Sequence, residues 1–139
     1  MPDNAPAPIV VCLPVADRPT SSAFYRAFLG QDPPGEPRDD GEPEPLVFPL
    51  NDGTSLMLVP SDGFGWVIGD RHEVAERGHV EVVLSRSAES EDSVADAVAA
   101  AQRGGGSVVT VPGRQPWGYV AVVADPDGHL WQVITDPLG

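Results

Sequence analysis

A chain of 139 residues with 41% hydrophobic content is long enough to build one compact domain with its own core, and short for two independent ones. The formal net charge is −13 and all 8 basic residues are Arg, a balance that argues against binding nucleic acid phosphates or an anionic membrane. Without Lys, Schiff-base chemistry by a lysine and a P-loop lysine are both excluded, and the single Cys12 permits no intramolecular disulfide.

In chain order, residues 1 to 8 alternate Pro with small and polar residues and predict a loose arm. The arm has neither the basic region nor the apolar stretch of a signal peptide, and no run approaches the ~20 apolar residues of a membrane span, so the expected location is cytoplasmic. Ile9 to Val15 reads as a strand. Asp17 to Ser21 then supplies turn and N-cap chemistry for a helix from about Ser21 to Leu29, with Phe24 and Phe28 on one face and Gly30 at its end. Gln31 to Pro45, rich in Pro, Gly, Asp and Glu, predicts an exposed loop whose run Asp39 to Glu42 is a solvated surface. Strands follow at Leu46 to Leu50 and Thr54 to Val59, joined by the hairpin signal Asn51-Asp52-Gly53. Pro60 to Gly78 breaks into turn residues and reads as a linker between halves.

The second half begins with a predicted strand at His79 to Leu84. A helix from about Glu91 to Arg103 places Val94, Ala97, Val98 and Ala101 on one stripe, and Gly104-Gly105-Gly106 ends it. Strands are expected at Ser107 to Val111 and Tyr119 to Ala124. Asp125-Pro126-Asp127-Gly128 then sets a tight turn, because Pro126 fixes φ and Gly128 accepts a positive one. The strand after it alternates, Leu130, Gln132 and Ile134 on one face and Trp131, Val133 and Thr135 on the other.

The two halves repeat each other as βαβββ modules at about 8–60 and 78–136, with a linker at 61–77. The turns set the register: four residues after Gly53 is Met57, and four after Gly128 is Gln132. Neither half has enough core alone, so they should pack together. The turn and strand Asp125 to Val133, the stretch Leu13 to Asp17, and Phe24-Tyr25 with Leu29-Gly30 resemble the vicinal-oxygen-chelate superfamily, which includes glyoxalase I, fosfomycin-resistance proteins, extradiol dioxygenases and bleomycin-resistance proteins. The resemblance covers nearly the whole chain. It implies an α+β fold, a single domain of two βαβββ modules forming a curved mixed sheet around a cleft with helices on the outer face. It does not select among the superfamily's chemistries.

The resemblance also indicates where metal ligands would stand. Superfamily metalloenzymes draw them from the first and last strand of each module. Aligned on Asp17, the first falls at Val10, which cannot ligate, and the second at Met57, a thioether that hard or borderline divalent ions disfavour. The third is His79. The fourth is Gln132, where the metalloenzymes usually carry Glu after the Trp. An imidazole and a neutral amide make a poor metal site.

Glu81, two residues after His79, would share its strand face. The pair either faces the cleft, as acid and base or as ligands joined by Gln132, or lies at a solvated edge. His129 is expected to hydrogen-bond locally, His72 to lie at the surface, and Cys12 to pack as a small residue sharing a face with Val10 and Pro14. Phe64 and Trp66 in the linker, with Trp117 and Tyr119 near the start of a strand, line a pocket or subunit interface or plug the sheet end.

The leading expectation is therefore a bleomycin-resistance-like protein without a metal or other cofactor, holding a small molecule in the cleft. Cys12, Met57, Phe64, Trp66, His79, Glu81, Trp117, Tyr119 and Gln132 are the candidate contacts. Glu81 and the acidic surround would favour a cationic aromatic ligand. The alternative is a lyase or dioxygenase with a reduced divalent-metal site of His79, Glu81 and Gln132, and a third reading is a regulatory module with a filled cleft. A homodimer is expected, with Phe64 and Trp66 at or near the interface.

Overall fold

In a computed structural model the described residues are 6–135. Most of the expected arm at residues 1–8, and the last residue of the second module's expected range, lie outside them. The chain runs β1 (Ile9–Val15), α1 (Arg18–Leu29), β2 (Leu46–Asn51), β3 (Thr54–Pro60), α2 (Ser61–Ile68), β4 (Val83–Ala88), α3 (Glu91–Arg103), β5 (Ser107–Gln115), β6 (Gly118–Ala124) and β7 (Leu130–Thr135). The strands form a three-stranded sheet ordered β1-β3-β2 and a four-stranded sheet ordered β4-β7-β6-β5. In each, the module's first strand lies parallel to its last, β1 to β3 and β4 to β7. This is the α+β class the sequence indicates.

The first module has one strand fewer than the second. After α1 the chain passes through Pro33, Pro34, Pro37, Pro43 and Pro45, none of which can donate to a ladder. Among the described residues that stretch makes only an isolated bridge, Pro37 to Pro43. Its acidic run is not simply solvated, as the composition suggested. Arg18 bonds Asp40 at 2.6 Å and Arg26 bonds Glu42 at 3.0 Å, folding both carboxylates back onto α1.

Helix α1 starts earlier than its composition implied, because Asp17 is itself the N-cap and accepts from the Thr20 amide at 3.0 Å. The Thr20 hydroxyl, which donates to the same carboxylate, and then the amide bond hold the Asp17 carboxyl below its ordinary value. Gly30 closes the helix in the left-handed conformation, φ 70°. The spacing of Phe24 and Phe28 puts both on one face. With Tyr25 they touch both modules: Tyr25 lies 5.9 Å from the Phe48 ring and 6.1 Å from that of Trp131, and Phe28 meets Trp131 edge-on at 5.3 Å. One core therefore runs from Leu46, Leu56 and Leu58 through α1 to Val94, Ala101, Val123 and Val133.

The triple glycine does more than stop α3. A Cβ on Gly104 would stand 2.8 Å from the Phe24 backbone, and one on Gly106 would overlap the Phe24 ring and stand 2.5 Å from the Ala124 carbonyl oxygen. Only hydrogen at these positions lets α1 close against the end of α3.

Two further expectations are corrected. The linker contains a helix, α2, where turn residues were expected. The strand expected at His79 to Leu84 begins at Val83 instead. Its partner β7 starts at Leu130, opposite Val83, and upstream of Leu130 the chain turns through Asp125 to Gly128, so residues 79–82 have no ladder to join despite their β-branched alternation.

Candidate functional site

The duplicated turns set equivalent registers. Cys12 stands opposite Met57 in the first module, and Ser85 opposite Gln132 in the second. Trp131 and Val133 point to the core, leaving Gln132 on the other face, where its Nε2 donates to Ser85 Oγ at 3.0 Å. Counted back seven places from each helix N-cap, Asp17 and Ser90, the first-strand positions are Val10 and Val83. His79 therefore does not occupy the second module's first-strand position.

The four positions that carry ligands in superfamily metalloenzymes thus hold Val10, Met57, Val83 and Gln132. Two are hydrocarbon, one is a thioether, and the amide is bonded to a serine. This donor set does not fit a divalent ion. Nor do three or more His, Cys, Asp or Glu side chains converge elsewhere among the described residues.

The principal cavity, about 560 Å³, lies at the junction of the modules. Leu13 and Pro14 from β1, Phe64 and Ile68 from α2, Leu84 from β4 and Leu130 from β7 supply its apolar wall. The coil between α2 and β4, including His72, His79, Glu73, Glu76, Arg77 and Glu81, and the turn residues Asp127, Gly128 and His129 supply the rest. The volume suits a small organic molecule.

The nine candidate residues divide three ways. Phe64, His79 and Glu81 line the cavity. Cys12, Met57 and Gln132 stand on the strands, outside the cavity lining, so His79, Glu81 and Gln132 are not assembled as one ligand set. Trp66, Trp117 and Tyr119 are elsewhere: Trp66 is 91% exposed, Trp117 is 60% exposed near the β5–β6 turn, and Tyr119 packs half-buried with the Arg114 guanidinium over its ring at 5.9 Å.

His72 is exposed, as expected, and also lines the cavity, whereas His129 plays a larger part than expected. Nε2 of His129 bonds the Pro14 carbonyl at 2.7 Å, a contact between modules where a local one was expected. The signal available was the turn motif itself. Asp127 accepts from the Ala16 amide at 2.8 Å and the Ser21 hydroxyl at 2.8 Å, so the whole turn clasps the first module. At its buried centre Asp125 accepts from the Tyr25 hydroxyl at 2.7 Å and from the amides of Asp127 and His129 at 2.9 and 2.8 Å, while Trp131 Nε1 donates to the same hydroxyl at 3.1 Å. Burial raises the Asp125 carboxyl above its ordinary value, against the opposing pull of the Tyr25 bond. It also raises the Tyr25 hydroxyl well above its own, so the phenol remains a donor.

Two modules built on a first strand parallel to a last one, packed through helices and joined by a turn clasp, define a protein of the vicinal-oxygen-chelate type. The chain belongs to the Glyoxalase/Bleomycin resistance protein/Dioxygenase superfamily, whose family model matches residues 9–133. No curated protein matches its sequence. Among solved structures it is similar to a glyoxalase-related enzyme from Fulvimarina pelagi, with TM-score 0.76, 25% identity, and 97% of this chain and 90% of that one covered. It is also similar to TnmS3, an antibiotic-binding protein from Streptomyces sp. CB03234, with TM-score 0.59, 25% identity, and 96% and 98% coverage. A hypothetical protein from S. aureus shares the fold at TM-score 0.75 and 23% identity, with 91% and 92% coverage. No helix among the described residues is long and apolar enough to cross a membrane.

Proposed function

We propose that this protein binds a small organic molecule without a metal, in the cavity at the module junction, and that its ligand is an aromatic or similarly apolar cation. The observation that carries this reading is the substitution of valine, valine, methionine and an engaged amide at the four ligand positions, together with a separate cavity that has an apolar wall and whose lining holds Glu73, Glu76, Glu81 and Asp127 against the single guanidinium of Arg77. An apolar body buried against Leu13, Phe64 and Leu84 gains about 25 cal/mol per Å². Carboxylates at the rim attract a cation and repel anionic thiol conjugates or phosphonates. The likeness to TnmS3, described as antibiotic-binding, is in keeping with a binding role.

The reading includes a cytoplasmic homodimer. The sheet faces opposite the helices carry exposed Val10 and Val83, and Val111 and Trp66 add further exposed apolar surface. Burying such faces in a second copy would remove them from water. Calorimetric titration of the metal-stripped protein with a panel of cationic and anionic aromatic compounds, with elemental analysis of the protein as purified, tests the proposal. Micromolar binding of a cation that weakens with salt supports it. Stoichiometric zinc, nickel, iron or manganese, with turnover of an anionic thiol conjugate, would refute it in favour of a lyase or dioxygenase.

A further inference from the structure

The coil between α2 and β4 forms much of the cavity wall, yet little ties it to the body. It is bounded by α2 and the start of β4, and Gly69 and Gly78 within it hold positive φ of 81° and 96°, conformations other residues rarely adopt. Its own hydrogen bonds are local: His72 N to Gly69 O, His79 N to Glu76 O, and His72 Nδ1 with Ile68 O. Among the described residues, the one hydrogen bond that leaves this coil for another part of the chain runs from Arg77 to the Pro126 carbonyl of the clasp turn. The Arg77 side chain lies over Gly128, where a Cβ would meet its Cγ and guanidinium at 3.4 Å. Val74 is half-buried, and with Ala75, Val80 and Val82 it gives the coil an apolar contact with the cavity.

We propose that residues 69–82 are a strap that opens and closes over the cavity, and that Arg77, bonded to the Pro126 carbonyl, is its latch. This rests on the reading of the cavity as a ligand site. The latch suits the task because the bond is exposed and single: such a bond shifts an open–closed equilibrium by roughly three- to tenfold, enough to favour closure without sealing the site. It also joins the strap to the turn whose neighbours Asp127 and His129 hold β1 and α1, so the closed strap rests on a wall common to both modules.

Hydrogen exchange of the strap amides in the unliganded full chain tests the latch without any ligand. Arg77→Ala should exchange faster at the two hydrogen-bonded strap amides, those of His72 and His79, by roughly three- to tenfold at unchanged melting temperature, and Arg77→Lys, which keeps a donor, should restore part of the protection. Stopped-flow binding of a fluorescent aromatic cation, thioflavin T, should then show faster association and faster release in Arg77→Ala than in the parent. Unchanged exchange in Arg77→Ala overturns the latch whatever the dye does. Faster exchange in a protein that binds no cation upholds the latch and overturns the binding reading alone.

Discussion

Replacing Tyr25 with Phe removes one oxygen from the clasp and leaves the ring where it is. That hydroxyl donates to the Asp125 carboxylate at 2.7 Å and accepts from Trp131 Nε1 at 3.1 Å, with Tyr25 fully buried and Asp125 2% exposed. A bond to a charged group contributes about 1.5–3 kcal/mol and a neutral one about 0.5–1.5 kcal/mol, and neither orphaned partner can reach water. The expected cost is about 2–4 kcal/mol. For a chain of this length roughly 3–5 °C is lost per kcal/mol, so the melting temperature should fall by about 6–20 °C. Thermal denaturation followed by circular dichroism measures it, and a fall of less than about 2 °C would refute the clasp as a major tie between modules. The pH dependence follows from the same carboxyl. Because burial raises Asp125 above 3.8, its contribution to stability is fully present below that value and is lost as pH rises through the raised folded value. Asp125→Asn, neutral throughout, should flatten that part of the stability profile.

Gly106→Ala forces a methyl group against the Phe24 ring and the Ala124 carbonyl, and should destabilise by about 1–3 kcal/mol or more in urea titrations; a neutral result would mean α1 and α3 are not closely packed there. Asp17→Ala removes the cap of α1 and should lower the melting temperature at neutral pH. Because the folded carboxyl lies below 3.8, its contribution is present above that value and fades as pH falls through the lower folded value, so parent and variant should converge in acid. Glu81→Gln should weaken binding of a cationic aromatic probe several-fold in calorimetry with unchanged folding; an unchanged affinity would remove Glu81 from the site. Val10→Asp with Val83→Asp should convert a dimer to a monomer in light scattering, and a parent protein that is already monomeric at high micromolar concentration would end the dimer reading.

Local chemistry made much of this molecule legible in its sequence. Asn51-Asp52-Gly53 and Asp125 to Gly128 each dictate a reversal from their own backbone preferences, and the alternation after them fixes which side of β7 faces the core. From those two turns alone Met57 and Gln132 are determined as equivalent positions, and that they stand where metalloenzymes carry ligands is what the family resemblance adds. What tertiary structure decided is everything that depends on a partner distant in the chain. His79 to Val82 has the composition of a strand, but a strand requires a neighbour with free amides and carbonyls, and β7 begins too late to offer one. Glu42 reads as a solvated acid until Arg26 and Ser22 lie beside it. The cavity was invisible for the same reason: its walls come from β1, α2, the strap and the Asp125 turn, and no periodicity within one segment records which other segments fold against it.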